Sequence, residues 1–189
     1  MKNLKTIAIA FVAALSTFAA TAQEKKIDTK TSKIQWVGEK LTGTHAGTID
    51  FKEGVIIIRD GKLTGGSFIA DMGSITVTDL KAGEGKEKLE GHLKADDFFG
   101  TATHPTAKIL FKTIKAKTGG VYTVTADLTI KNITKPVVFD LTVGKNTATT
   151  TFKVDRTKYD IKYGSKSFVE GIGDKAIYDE FELTVNLKF

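Results

Sequence analysis

The chain has 189 residues, no cysteine, 28 Lys+Arg against 22 Asp+Glu, and a formal net charge of +6. Without cysteine there is no disulfide framework, no thiolate metal site and no redox chemistry at sulfur, so stability must come from packing and backbone ladders. The positive charge is spread along the chain rather than gathered in a block, which argues against a dedicated nucleic-acid binder.

The first 22 residues read as a secretory signal peptide: Lys2 and Lys5 supply charge, Ile7 to Leu15 is almost continuously apolar, and Ala20-Thr21-Ala22 ends on small residues. The apolar run is much shorter than the ~20 residues a membrane-crossing helix needs, so no stable membrane insertion is expected. Cleavage after Ala22 would leave residues 23–189 as one domain, periplasmic or secreted.

From Ser32 onward apolar residues recur with a period of two, as in half-buried antiparallel strands. Strands are predicted at Ile34–Trp36, His45–Phe51, Val55–Ile58, Ser67–Met72, Ala107–Lys112, Tyr122–Ile130, Val137–Val143, Thr149–Val154 and Phe181–Phe189. Turns are predicted at Glu53-Gly54, Asp60-Gly61, Gly65-Gly66, Gly119-Gly120, Lys131-Asn132, Gly144-Lys145-Asn146 and Gly171-Ile172-Gly173. Only Gly85 to Phe99 breaks the rhythm. There Leu89, His92 and Leu93 fall at helical spacing, which predicts one short helix or an irregular lid. The pattern gives an all-β domain and leaves sandwich and barrel both open.

Two segments narrow the choice. Leu89 to Phe99, followed by His104-Pro105 and Phe111, resembles the HL-x-x-x-D-F-F…P…F signature of the YceI family. Ala126 to Val137 resembles that family's G-x-L-T-I-x-G-x-T-x-P-V segment, with Ala126 and Asn132 where glycine is usual. Ser32 to Trp36, Ser74 to Val77, Phe152 to Arg156 and Gly173-Asp174 extend the resemblance over residues 23–189. Thr31-Ser32 and Glu39-Lys40 stand where many members carry His-Ser and Lys-His. The resemblance implies a lipocalin-like, extended antiparallel barrel of about eight strands. It also implies a polyisoprenoid chain or another long, fatty amphiphile inside, bound without catalysis or cofactor. Barrel geometry agrees, because eight strands leave room for filling side chains or one slender ligand.

On each strand the face with the larger apolar set is taken as inward. This selects Ile34, Trp36, Ile49, Phe51, Phe68, Ala70, Met72, Ile109, Phe111, Val124, Leu128 and Ile130. It also selects Phe139, Leu141, Phe181, Leu183, Val185 and Leu187. Fourteen of the candidates are assigned to the ligand wall: Trp36, Phe51, Phe68, Met72, Phe98, Phe99, Ile109, Phe111, Leu128, Ile130, Phe139, Leu141, Phe181 and Leu183. Any one of them serves equally well as plain core. Phe98 and Phe99 either gate the mouth or plug it, and Trp36, the single tryptophan, either lines the cavity or closes the barrel floor, the floor being favoured for a fold of this kind.

An anionic head would need cations at the mouth. Asp79 to Asp97 offers four lysines against six acids. Lys153, Arg156, Lys158, Lys162 and Lys166, with Tyr159 and Tyr163 between them, are the better candidates; the alternative is a solvated strand face. His45, His92 and His104 lie far apart, with no HxH or HxxxH spacing, so no metal site is expected. Gly164-Ser165-Lys166-Ser167 lacks the glycine and helix of a phosphate loop, and Asp96-Asp97 reads as solvated or capping carboxylates. No catalytic residue is assigned. A filled structural module is the competing class, and the polar outer strand positions leave room for at most a modest homodimer interface.

Overall fold

The computed structural model describes residues 22–189. The signal segment inferred above lies, except for Ala22, outside the described residues.

Nine strands and one helix follow in order: β1 (Gln23–Lys26), β2 (Lys33–Lys40), β3 (Gly43–Arg59), β4 (Lys62–Val77), α1 (Lys86–Lys94), β5 (Thr106–Ala116), β6 (Val121–Ile130), β7 (Ile133–Val143), β8 (Thr147–Asp155) and β9 (Ile177–Lys188). Strands β2 to β9 pair antiparallel around a closed circuit, β2-β9-β8-β7-β6-β5-β4-β3 and back to β2. Closure covers most of the sheet edge; the thinnest seam is β7–β8, paired only at Thr142↔Thr149 and Val143↔Ala148. The short β1 lies beside the second half of β3, with Gln23 opposite Ile58. It went unpredicted because Gln23-Glu24-Lys25-Lys26 has no apolar face to reveal a strand.

Two glycine pairs expected at turns lie inside strands. Glu53-Gly54 continues β3, where a register shift between Phe51 and Glu53 gives one strand an extra residue. That bulge moves the inward set from Ile49 and Phe51 to Gly54 and Ile56. Gly65-Gly66 lies within β4. These glycines serve close approach rather than reversal. A Cβ on Gly66 would stand 2.7 Å from the Phe111 ring, and one on Gly54 would stand 2.4 Å from the Phe68 ring. The aromatic rings lie across the bare backbone of neighbouring strands. True reversals occur at Asp60-Gly61 and Lys131-Asn132, where all four residues have positive φ, as tight hairpins require.

Helix α1 falls where the periodicity placed it. It is fastened to the end of β4 by two side chains one turn apart. Lys86 Nζ donates to the Val77 carbonyl (2.7 Å), and Glu90 Oε1 accepts from the Val77 N–H (2.8 Å). Together they satisfy the backbone group at which the ladder ends. No helix among the described residues is long and apolar enough to cross a membrane.

Candidate functional site

The barrel interior divides into two spaces. The inner one, about 100 Å³, lies between inward side chains of β2 to β9. Its wall includes Phe51, Phe68, Met72, Phe99, Ile109, Phe111, Leu128, Ile130, Phe139, Leu141, Phe181 and Leu183, twelve of the fourteen candidates, together with Ile34, Ile49, Ala70, Val185 and Leu187. Much of this region is filled by aromatic rings in series. Phe51 meets Phe68 (centroids 6.1 Å apart), Phe68 meets Phe111 (5.6 Å), Phe111 meets Phe139 (5.9 Å), and Phe139 stacks on Phe152 (4.7 Å). Val124 is fully buried on the same face of β6 but lies off the cavity wall.

The second space, about 500 Å³, is a mouth chamber between the end of β2, helix α1 and the loop joining β8 to β9. Of the two places open to it, Trp36 takes the wall: it lines this chamber rather than the favoured floor. Its ring crosses Gly47, where an added Cβ would come within 2.6 Å of the indole and 1.8 Å of the Thr76 carbonyl. The absence of a side chain at Gly47 therefore sets the depth at which the indole lies. Its Nε1 is buried and has no hydrogen-bond partner among the described residues.

Phe98 lines the mouth chamber, while Phe99 and Phe181 border both spaces. Phe99 and Phe181 meet edge to face with centroids 6.2 Å apart, on the boundary that the chamber and the inner cavity share. Phe98 is buried against His92 and Tyr163.

The expected basic cluster comes apart. Lys153, Lys158, Lys162 and Lys166 are exposed, Lys158 facing Asp155 and Lys162 facing Asp160. Arg156 is buried and its donors are occupied. Nη1 donates to the carbonyls of Ile161 and Tyr163, Nη2 to Ile177 and Nε to Tyr178, at 2.8–3.1 Å. Burial pulls its pKa down, and Asp179 (3.7 Å) and Asp155 oppose that shift. Arg156 therefore ties the mouth loop to β9 and does not serve as an anion receptor. Tyr159 is also interior, its hydroxyl pushed up to about 12 by burial and then by Asp155. Of the cluster, Arg156 and Tyr163 line the chamber. Ser165 is fully buried and its Oγ accepts from Ser167 N–H, a local turn rather than a phosphate loop.

Two histidines border the chamber beside carboxylates. His45 Nδ1 lies 2.8 Å from Asp79, and His92 Nε2 lies 3.4 Å from Asp97, with its ring edge-on to Tyr163 (4.4 Å). Desolvation pushes Asp79 up, but the Ala46 N–H and His45 outweigh it and hold the carboxyl below its ordinary value. His104 lies apart from both, following the α1 lid loop. No three His, Cys, Asp or Glu side chains among the described residues converge on one point.

The strand pattern missed Phe152 because β8 reads Thr-Ala-Thr-Thr-Thr-Phe, in which threonine occupies both faces. Thr150 is the inward one, its hydroxyl donating to the Asp140 carbonyl (2.7 Å). Ile177 and Tyr178, at the start of β9, lie ahead of the alternating run from Phe181 and were not revealed by it, whereas Tyr163 had been noted only within the basic cluster.

Comparison with known proteins places this geometry. A UPF0312 protein of Pseudomonas putida (strain W619) is 32% identical over 133 residues, 69% of this chain and 67% of its own length. A UPF0312 protein of Photorhabdus laumondii is 43% identical over 49 residues, so the chain spans about a quarter of that relative (25%). Among solved structures, BcnA of Burkholderia cenocepacia superposes with a TM-score of 0.69 at 21% identity, covering 85% of this chain and 98% of BcnA. A domain from Saccharophagus degradans described as polyisoprenoid binding gives 0.56 at 13% identity, covering 89% and 98%. At these identities the solved structures speak to the fold. The YceI-like domain family matches residues 26–189, and with the whole barrel accounted for, the chain belongs to that family.

Proposed function

We propose that this protein carries the apolar tail of a long amphiphile, polyisoprenoid or fatty, inside its barrel and performs no chemistry on it. The observation that carries this reading is the pair of spaces in series. A chamber of about 500 Å³ lies within the usual ~300–1,000 Å³ of ligand sites and borders, at Phe99 and Phe181, a second cavity with an almost wholly apolar wall. Burying about ten CH₂ groups gains on the order of 8 kcal/mol before the cost of association, so useful affinity needs neither cofactor nor covalent bond. The Saccharophagus domain, described as polyisoprenoid binding, supports the ligand class. The charged, apolar and small-residue segments of residues 1–22 support export to the periplasm or beyond, where an insoluble lipid needs an aqueous escort.

Native mass spectrometry of the purified barrel, followed by organic extraction, tests the reading. A stoichiometric polyprenyl or acyl species is expected. A clean apo mass with no uptake of added lipid would leave the competing reading of a structural barrel. The aromatic series from Phe51 to Phe152 favours that competitor at the floor; the chamber volume disfavours it at the mouth.

A further inference from the structure

We infer that the rim of the mouth is a membrane-docking face, on which apolar side chains settle against a lipid bilayer so that a tail enters the chamber without crossing water. This rests on the lipid-carrying reading and adds where the cargo is loaded.

Large hydrophobic side chains stand exposed at seven described positions, and five of them lie around the mouth: Leu41 in the β2–β3 turn, Tyr163, Phe168 and Val169 in the β8–β9 loop, and Tyr178 at the start of β9. The Leu41 N–H donates to the Ala176 carbonyl, joining turn to loop, and Leu41 and Tyr178 border one shallow depression. Leu110 and Val138 stand apart on β5 and β7 of the outer wall. Clustered exposed apolar groups mark an interaction surface, whereas scattered ones do not.

Continuity and charge identify the occupant. Tyr163 and Tyr178 are each about half exposed (49% and 50%) and also line the chamber, so two aromatic rings reach from rim to interior, between charged lining residues that include Lys40, Asp174, Lys175 and Glu180. A protein partner has no use for that continuity, while a tail leaving a bilayer does. From Asp160 to Glu180 there are three lysines and five carboxylates, and Lys162 is already matched by Asp160 at 2.8 Å. The rim is therefore not a polybasic patch, and its attraction is apolar rather than counter-ionic. Tyrosine suits the boundary between headgroups and acyl chains, with its ring on the apolar side and its hydroxyl on the wet side. Lys162 Nζ lies 5.1 Å from the Phe168 ring centroid, so its ammonium can stay among headgroups while the ring sinks below.

The test is flotation of the barrel (residues 23–189, whose nine strands are all paired) with vesicles of pure phosphatidylcholine, compared with its F168S/V169S variant. Both side chains are about half exposed, so the variant keeps its fold, checked by circular dichroism. The wild-type barrel is expected to float, and F168S/V169S to partition about tenfold more weakly. L110S/V138S on the outer wall should match wild type, and about 0.5 M NaCl should change little. No flotation, equal partition of F168S/V169S, or binding that needs phosphatidylglycerol and disappears in salt would overturn the docking face. Geranylgeraniol quenching of Trp36, read on the same samples, separates the two readings. Flotation without quenching keeps the docking face and removes the lipid-carrying role; quenching without flotation removes the docking face alone.

Discussion

The inner barrel and its mouth are built from similar residues but held by different forces. In the inner barrel, phenyl rings pack across one another and over the bare backbones of Gly54 and Gly66, with hydrogen bonds confined mainly to the strand ladders. At the mouth, Arg156 collects four carbonyls, Lys86 and Glu90 pin helix α1, and Asp79 holds His45 and the Ala46 N–H. Close packing resists local change, because any void forfeits contacts on all sides. A polar clasp near solvent opens more cheaply, since water can replace each bond it loses. The difference fits the proposed carrier, which would keep its shape at the inner end and yield at the mouth.

The largest expected effect comes from emptying one place in the aromatic series. Phe139 is buried between Phe111 and Phe152. Phe139→Ala is expected to destabilise the whole domain by about 3–5 kcal/mol in urea unfolding, with a single cooperative transition. Arg156→Met asks the same of the mouth. It leaves four carbonyls without their donor, but those on the loop can turn to water. The expected cost is nearer ~2 kcal/mol, accompanied by faster amide exchange confined to residues 161–178. An equal and global loss for both variants would erase the distinction drawn here.

How far the sequence revealed the two regions follows the same division. The inner wall was legible because alternation is a strong signal wherever one strand face is apolar. The eleven strand residues among the twelve inner-wall candidates, from Phe51 to Leu183, face inward as the period placed them. It failed locally at β8, where Thr150 and Thr151 are chemically identical yet face opposite ways. Glycine pairs misled for a related reason: a residue without Cβ suits both a turn and the underside of an aromatic ring, and only the partner strand decides which. The mouth was largely illegible. Arg156 looked like a free cation because the carbonyls of Ile177 and Tyr178 that occupy it lie more than twenty residues away. The β8–β9 loop has no period, so Tyr163 was noticed only for its place among cations, and Ile177, where β9 begins, was not noticed at all.

The shared boundary sharpens the comparison, because it belongs to both regions. Phe181→Ala removes one face of that boundary and should cost less than Phe139→Ala, since Phe181 is only partly buried and meets Phe99 alone among the aromatic contacts. A loss of about 1–2 kcal/mol is expected, below the usual range for a fully buried phenylalanine. The gain should be access. Long-chain alcohols should bind the variant more tightly relative to short ones than they bind wild type, measured by quenching of Trp36. A chain-length preference unchanged by the substitution would mean that the two spaces do not form one path.

The smallest expected effect is at Asp79, where β4 has ended and a carboxylate takes over its pairing with β3. Oδ1 accepts the Ala46 N–H (2.9 Å) and Oδ2 lies on His45 Nδ1 (2.8 Å). Desolvation raises its pKa, but the two hydrogen bonds prevail, so the folded protein holds the proton more weakly than the unfolded chain, whose ordinary value is 3.8. A carboxyl depressed in this way contributes its full stabilisation above that ordinary value and loses it as pH falls through the lower, folded one. Acidification below about pH 4 should therefore loosen the start of β3 at the mouth, seen as faster exchange of the Ala46 amide, before the inner barrel responds. Asp79→Asn keeps the shape and an acceptor oxygen but removes the charge. It should cost about 1 kcal/mol near neutral pH and flatten the acid dependence of that amide. A variant with the wild-type acid profile would show that carboxylates elsewhere, and not this clasp, make the mouth the acid-sensitive end of the barrel.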